Sequence, residues 1–144
     1  MKHCFMFLLG IFLSATLCGQ NYSSEVVFLQ QLGNTLTVRA LGISEKKKEA
    51  ANMALKSAFY TLFYTGVDGV NKGNPMVSTA KPDYDRRFFD ENRYSVFVKD
   101  YTVTEGPEKQ GKQYRCTVEM TILFDALQKD LNRNKVQTNL GMAV

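Results

Sequence analysis

Carboxylate side chains crowd one irregular segment in the second half of the chain. Asp83, Asp85, Asp90 and Glu91 lie in the stretch DYDRRFFDE, and a pair of carboxylates is what most glycosidases use for acid–base hydrolysis. Their spacing does not single out one pair. A small exported carboxylate-based hydrolase, acting on an envelope or carbohydrate substrate, is therefore kept as an alternative function.

Aromatic and arginine side chains fill the same segment and predict a partner-binding surface. Large aromatic residues and Arg concentrate the binding energy of protein interfaces. The alternative is that the aromatic residues pack in the core, and we expect at least half of those in the range 84–101 to be buried. The candidate surface consists of Tyr84, Arg86, Arg87, Phe88, Arg93 and Tyr94.

The beginning of the chain is typical of a secretory signal peptide. Lys2 and His3 form a short basic region, and an uncharged apolar run covers residues 5–17. A signal core has about 7–15 apolar residues, whereas a membrane-spanning helix needs roughly 20. We expect cleavage between Gly19 and Gln20. The protein would then be exported to the periplasm or the extracellular medium, with outer-membrane association left open.

Cys18 offers an alternative route of processing. Acylation there would tether the protein to a membrane, and stable anchoring takes more than one acyl chain. Lipoprotein signals usually place a small residue before the cysteine, whereas Leu17 occupies that position. Cleavage after Gly19 is therefore favoured over a lipid anchor and over an uncleaved membrane anchor. No stable membrane insertion is expected after cleavage.

Removal of residues 1–19 leaves little catalytic chemistry. His3 is the only histidine of the chain, and Cys116 is the only cysteine beyond that range. Such a chain can form no Ser–His–Asp triad, no Cys–His pair and no zinc site built from histidine or cysteine. It also lacks both glycine-rich phosphate-binding motifs. We therefore predict that the protein is not an enzyme and uses no cofactor and no metal.

Local patterns predict the elements before the irregular segment. Gly33 and Asn34 separate two β-rich runs and favour a two-residue hairpin turn. Because paired residues share a face of the sheet, Val27 and Leu29 are expected on the covered face and Arg39 on the wetter one. The predicted pairs are Leu32–Thr35, Leu29–Val38 and Val27–Ala40.

An alanine-rich helix is predicted to follow the hairpin. Ser44 is a suitable N-cap, alanine and leucine recur at helical spacing over residues 51–62, and Gly66 is a natural stop. The lysine cluster 46–48 opens this helix and falls on its solvated face. Exported proteins meet no cytoplasmic RNA, and a net charge of +4, which drops to +3 without Lys2, is a weak field for nucleic acid. We expect no nucleic-acid partner.

Two more strands and a second helix are predicted after the irregular segment. The runs 94–105 and 113–124 are rich in β-branched and aromatic residues, with the polar stretch GPEKQGK as the turn between them. Cys116 is expected to face inward as a small core residue. Asp125 is expected to cap a short final helix.

Together these elements predict an α+β fold. It is a two-layer sandwich in the order β-β-α-β-β-α, in which a mainly antiparallel sheet of about four strands carries a long alanine-rich helix and a short C-terminal helix on one face. The predicted organisation has a signal peptide at 1–19, a single α+β domain at 20–134 and a flexible tail at 135–144.

Two stretches carry a resemblance to a known family. ALGISEKKKEAANMALKSAF and YRCTVEMTILFDALQKDL are similar to the N-terminal domain of the flagellar outer-membrane ring-assembly protein and to related surface-lipoprotein domains. The stretch FFDENRYSVFV resembles small secreted proteins of Bacteroides-like bacteria. The resemblance implies a module used in envelope assemblies, or one with no assigned role, and it carries no shared catalytic residues. Our own expectation is a non-enzymatic domain whose partner is another envelope protein or a second copy of itself. The large Leu17 departs from the lipoprotein members.

Overall fold

Four antiparallel strands form the main sheet of the protein. The computed structural model describes residues 22–140, so the predicted signal peptide, the Gly19–Gln20 cleavage site and Cys18 lie outside the described residues. The strands are β1 (Val26–Leu32), β2 (Thr35–Ser44), β4 (Val98–Gln110) and β5 (Gln113–Leu123). Their spatial order in the sheet is β1-β2-β5-β4.

Helices join and cover these strands. The longest, α1 (Ala50–Tyr64), follows a 3-10 turn at Lys47–Glu49 and packs on β2 and β5. The irregular segment contains α2 (Pro82–Asp85), a wider helical turn at Arg86–Asp90 and a 3-10 turn at Arg93–Phe97. The last helix is α3 (Phe124–Arg133). Within residues 22–140, no helix is both long and apolar enough to cross a membrane.

A second, two-stranded sheet extends the predicted order of elements. It pairs β3 (Val77–Thr79) with β6 (Gln137–Thr138) in antiparallel fashion. The sequence predicts a tail without structure from position 135, yet Val136 is only 6% exposed. The Asn139 backbone N–H also donates to the Met76 carbonyl oxygen at 2.8 Å. The chain is thus packed against the domain as far as these residues; residues 141–144 lie outside the described range.

The predicted α+β class is confirmed by this arrangement. Alternation along β5 directs Val118 and Met120 into the core, where they are at most 1% exposed. Cys116 faces the same way and is 2% exposed, as predicted. The buried side of the sheet, α1 and α3 share one hydrophobic cluster.

Helix α1 packs directly against β2 because the residues that face each other are small. Ala50, Ala54 and Ala58 are fully buried. A Cβ added at Gly42 would lie 2.1 Å from the Ala50 carbonyl oxygen and 2.4 Å from the Ala54 backbone nitrogen. The alanines therefore serve to bring the helix backbone against the strand, and the lysine cluster 46–48 before them is exposed.

The predicted register of the first hairpin is correct near the turn and wrong beyond it. Leu32 pairs with Thr35 as expected, but the ladder shifts by one position at Leu29. The pairs beyond the shift are Phe28–Val38, Val27–Arg39 and Val26–Ala40. Because a bulge inserts one residue, every β1 side chain beyond the bulge, on the side away from the turn, lies on the opposite face from the one predicted. Val27 is accordingly 52% exposed instead of buried.

Two predicted caps and one turn also differ. Ser44 ends β2, and its Oγ accepts the Lys46 N–H at 3.1 Å instead of capping α1. Asp125 lies in the first turn of α3, whose N-cap position is Leu123 without a side-chain cap. The stretch GPEKQGK is mostly strand, because β4 continues to Gln110 before a tight turn. Gly66 does follow the end of α1, as predicted.

Candidate interaction surfaces

Half of the predicted partner surface lies in the core. Tyr84, Phe88 and Tyr94 are 2%, 0% and 4% exposed, so their assignment to a surface is corrected. The ring centroid of Phe88 lies 5.2 Å from that of Phe59 and 5.0 Å from that of Phe63, both on α1. Aromatic pairs in this range add about 0.5–1.5 kcal/mol beyond the area they bury. These side chains hold the irregular segment onto the helix.

Arg93 is also used internally. Its Nη2 donates to Asp130 Oδ1 at 2.7 Å and its Nη1 to Oδ2 at 3.2 Å. The Tyr84 hydroxyl donates to the same Oδ2 at 2.7 Å. Asp130 is 2% exposed, and its carboxylate thus receives three hydrogen bonds. Burial, followed by the bond to Asp130, raises the pKa of Tyr84. This cluster clamps the irregular segment to α3.

Arg86 and Arg87 are the part of the predicted surface that stays accessible. The Arg86 guanidinium pairs with the Glu91 carboxylate, and both side chains are 54% exposed. Arg87 is half-buried. Exposed ion pairs of this kind contribute about 0–1 kcal/mol. These two residues therefore remain free to serve as a polar rim.

Asp85 and Asp90, two of the four candidate carboxylates, line one shallow cavity of about 330 Å³. The Tyr64 hydroxyl lies 2.5 Å and 2.6 Å from the two carboxyl oxygens of Asp85. Burial raises the pKa of Asp85, while the bond from Tyr64 opposes that shift. Asp83 and Glu91 are exposed and do not line the cavity. Its lining consists of Tyr22, Tyr60, Pro82, Asp85, Arg86, Phe89 and Asp90.

Aromatic rings form one wall of this cavity. The ring centroids of Tyr22 and Tyr60 are 4.9 Å apart, and that of Phe89 lies 5.7 Å from Tyr22. Burial and the nearby Asp90 carboxylate raise the pKa of Tyr22 to about 12. The cavity thus brings together a carboxyl with a raised pKa, a second carboxylate and aromatic rings, which are residue types that glycoside hydrolysis uses.

The outer face of the sheet has a second depression, of about 420 Å³. Arg39 and Glu119 form a cross-strand ion pair there, with Nη2 and Oε2 3.1 Å apart. Arg115, Glu25 and Glu105 line the same depression. Since charges of both signs are interspersed, no single charge dominates this face, and it offers no strong attraction to a highly charged partner.

The outer edge of β4 is the third candidate surface. This edge, residues 98–110, is called the β4 edge; β4 ends the sheet, and no strand within residues 22–140 pairs with its outer side. All its residues except Val98 and Pro107 are exposed. Tyr101 and Val103 pair with Met120 and Val118 and so lie on the helix side, yet they are 48% and 39% exposed.

Comparison with protein-family models, with curated proteins and with solved structures finds no match to this chain. The function is therefore inferred from its surfaces. Sequence patterns indicated that Tyr101 and Val103 belong to a strand, because the run 94–105 is rich in β-branched and aromatic residues. They could not indicate that this strand lies at an edge, since the spatial order of strands depends on contacts distant in sequence.

Proposed function

We propose that this chain is an exported, non-enzymatic domain of the cell envelope, periplasmic or secreted, that binds another protein chain in an assembly. The signal-peptide pattern of residues 1–19 supports export. The absence of histidine beyond His3 supports a binding role over most enzymatic ones. The observation that carries the binding role is the β4 edge, where a strand of 13 residues has no neighbour on its outer side within the described residues.

The β4 edge fits binding by addition of a strand. An exposed edge presents backbone N–H and C=O groups that an extended segment can pair with, and alternate side chains then supply specificity. Tyr101 and Val103 would supply apolar contacts on the helix side. Three register shifts along β4, together with Lys99 and Asp100, limit unspecific pairing, because bulges and charges discourage aggregation at edges. Such an edge suits one defined partner. Arg86 and Arg87 remain a second polar contact region.

Site-specific photo-crosslinking tests this proposal. A photoreactive amino acid replaces Val103 in one strain and Val27 in another, and both strains make the protein at its normal level. Val27 is a matched control, because it is an exposed apolar residue on the opposite edge strand, β1. We expect a discrete crosslinked species from position 103, found in the envelope or secreted fraction, and none from position 27. Equal or absent crosslinking at both positions, or a cytosolic location, would overturn the proposal.

A carboxylate-based hydrolase is the second candidate, and the shallow cavity is the observation that favours it. Asp85 and Asp90 both line this cavity beside aromatic rings. The test compares the purified protein with the double variant Asp85→Asn/Asp90→Asn on envelope and other polysaccharides, with released reducing ends as the readout. Turnover by the wild type that the double variant lacks would establish an enzyme. The binding proposal predicts no difference between the two proteins.

A further inference from the structure

The first described residues of the protein form a strap on α1. Residues 22–24, called the N-terminal strap, lead into β1. The Ser23 backbone N–H donates to the Ser57 Oγ at 3.0 Å, and the Thr61 Oγ1 donates to the Ser23 carbonyl oxygen at 3.2 Å. Both polar groups of the Ser23 backbone are therefore bound to hydroxyl groups of α1.

These contacts bury the hydroxyl groups of α1. Ser57 and Thr61 are 1% and 3% exposed, and leaving a buried hydroxyl without a partner is unfavourable. The Tyr22 ring adds apolar contacts, since its centroid lies 4.9 Å from that of Tyr60 and 5.7 Å from that of Phe89. The docked strap is therefore the stable arrangement once the domain has folded.

The predicted cleavage site lies very close to this strap along the chain. Only Gln20 and Asn21 separate the Gly19–Gln20 bond from Tyr22, and two residues span at most about 7 Å. A helix with its side chains is about 10–12 Å across, so an enzyme that encloses this bond would collide with α1 while the strap is docked. Resting on the proposed export and cleavage, we propose that the N-terminal strap is a maturation latch. When docked it shields the Gly19–Gln20 bond, so that the signal peptide is removed while the strap is free, and docking then completes the fold.

The latch slows cleavage of a folded precursor and does not prevent it. Proteolysis of an ordered site follows the population in which that site has opened, when opening is fast relative to cleavage. Opening of the strap breaks the two hydrogen bonds of Ser23 and withdraws the Tyr22 ring from α1, but it leaves the sheet intact. Terminal segments open locally at a much lower free energy than the whole domain unfolds. Folding before cleavage therefore lowers the cleavage rate by the cost of this local opening.

A longer tether tests the latch. The purified, folded full-length precursor is incubated in detergent with a bacterial type I signal peptidase, and the cleavage rate is measured. Six alternating Gly and Ser residues inserted between Gln20 and Asn21 leave the strap contacts in place but lengthen the tether by up to about 20 Å. We expect this spaced precursor to be cut about tenfold faster than the wild type, because it needs no opening of the strap. Asn21→Gly is the matched control, since it places glycine at the same distance from the bond without lengthening the tether.

Loosening the strap from the side of α1 gives an independent measurement. Ser57→Ala removes the acceptor of the Ser23 N–H and leaves every residue near the scissile bond unchanged. We expect it to speed cleavage of the wild-type precursor several-fold, because the strap opens more often. In the spaced precursor the same substitution should have no effect on the rate. This dependence on tether length separates the latch from a general loss of stability, which would act on both precursors.

The outcomes separate this inference from the proposed export itself. Faster cleavage of the spaced precursor alone, with an effect of Ser57→Ala confined to the short tether, supports the latch. Equal rates for the wild-type, Asn21→Gly and spaced precursors would overturn the latch and leave cleavage and export standing. If the mass of the N-terminal peptide shows that none of them is cut at the Gly19–Gln20 bond, both the latch and the proposed cleavage are wrong.

Discussion

Arg93 and Asp130 form a two-bond ion pair that ties the 3-10 turn before β4 to α3. The nitrogen–oxygen distances are 2.7 Å and 3.2 Å, and the Tyr84 hydroxyl completes the coordination of the carboxylate at 2.7 Å. The Asp130 side chain is 3% exposed and that of Arg93 38%. A charge buried in this way is stable only when its partners remain. The pair therefore has a structural role, although arginine is a residue type that is common at interfaces.

Arg93→Ala is predicted to destabilise the fold strongly. It leaves the Asp130 carboxylate buried with Tyr84 as its remaining partner. Removing one member of a fully buried pair costs about 3–5 kcal/mol. Because the Arg93 side chain is 38% exposed, we expect a smaller loss, roughly 2–3 kcal/mol in the free energy of unfolding. Urea unfolding measures this loss as a lower midpoint at an unchanged slope.

The double variant Arg86→Glu/Arg87→Glu is the matched control for that experiment. Both residues lie in the same segment, and Arg86 makes only an exposed ion pair with Glu91. We expect its melting temperature to stay close to that of the wild type, because substitutions at such surfaces usually change stability by about 0.5 kcal/mol or less. A loss equal to that of Arg93→Ala would show that Arg86 and Arg87 are structural, and would remove them as a contact region.

The sequence predicted those elements that depend on local patterns. The turn at Gly33 and Asn34, the buried alternation along β5 and the stop at Gly66 all require neighbours within a few positions, and all are confirmed. The shift at Leu29 was not predictable in this way. It allows Phe28 to pack on the backbone of Gly69, where an added Cβ would lie 2.7 Å from the Phe28 ring, and that contact is distant in sequence.

The candidate surface was predicted less well for a related physical reason. Aromatic and arginine residues occur both in interfaces and in protein interiors, so residue type alone cannot distinguish the two. The burial of each side chain in the folded protein distinguishes them. Five of the six aromatic residues in the range 84–101 are buried, with Tyr101 as the exception. Their burial depends on α1 and on Asp130, which lie far along the chain. Only the folded arrangement distinguishes Tyr101 from Tyr94.

Asp85 is predicted to make the fold less stable as pH rises, which is opposite to the effect of a carboxyl whose pKa is lowered by folding. Burial raises its pKa above the ordinary value of 3.8. Between that value and the raised one, the folded protein keeps a proton that the unfolded chain has released, so the contribution of Asp85 to the free energy of unfolding falls as pH rises. Below pH 3.8 this contribution is fully present.

Asp85→Asn removes this contribution and gives the measurement. The free energy of unfolding of the wild type minus that of the variant should decrease as pH rises through the window and then level off. Tyr64→Phe removes the hydrogen bond that lowers the pKa of Asp85. The pH at which this difference levels off should therefore be higher in the Tyr64→Phe background. A difference that grows with pH would show that the Asp85 pKa is lowered in the folded protein.

Thiol counting tests the proposed cleavage. The full chain has three cysteines, and removal of residues 1–19 leaves Cys116 alone. Cys116 is 2% exposed, and burial raises the pKa of its thiol, so it should react with a thiol reagent only after unfolding. Protein isolated from the envelope or medium should titrate one thiol per chain in denaturant. Three thiols would contradict cleavage, and the mass of the N-terminal peptide would separate a free Gln20 from an acylated Cys18.

Gly42→Ala is predicted to be the most damaging of the small substitutions. The added Cβ would lie 2.1 Å and 2.4 Å from backbone atoms of α1, and backbone cannot move aside unless the helix separates from the sheet. Overpacking costs about 1–3 kcal/mol and more where nothing can relax, so we expect a loss of about 3 kcal/mol in urea unfolding. Gly33→Ala is the control: its φ is +59° with no atom within 4 Å, so it carries only the left-handed backbone cost of about 1–2 kcal/mol. An equal or smaller loss at Gly42 would mean that α1 does not rest on β2 as closely as the alanine-rich face indicates.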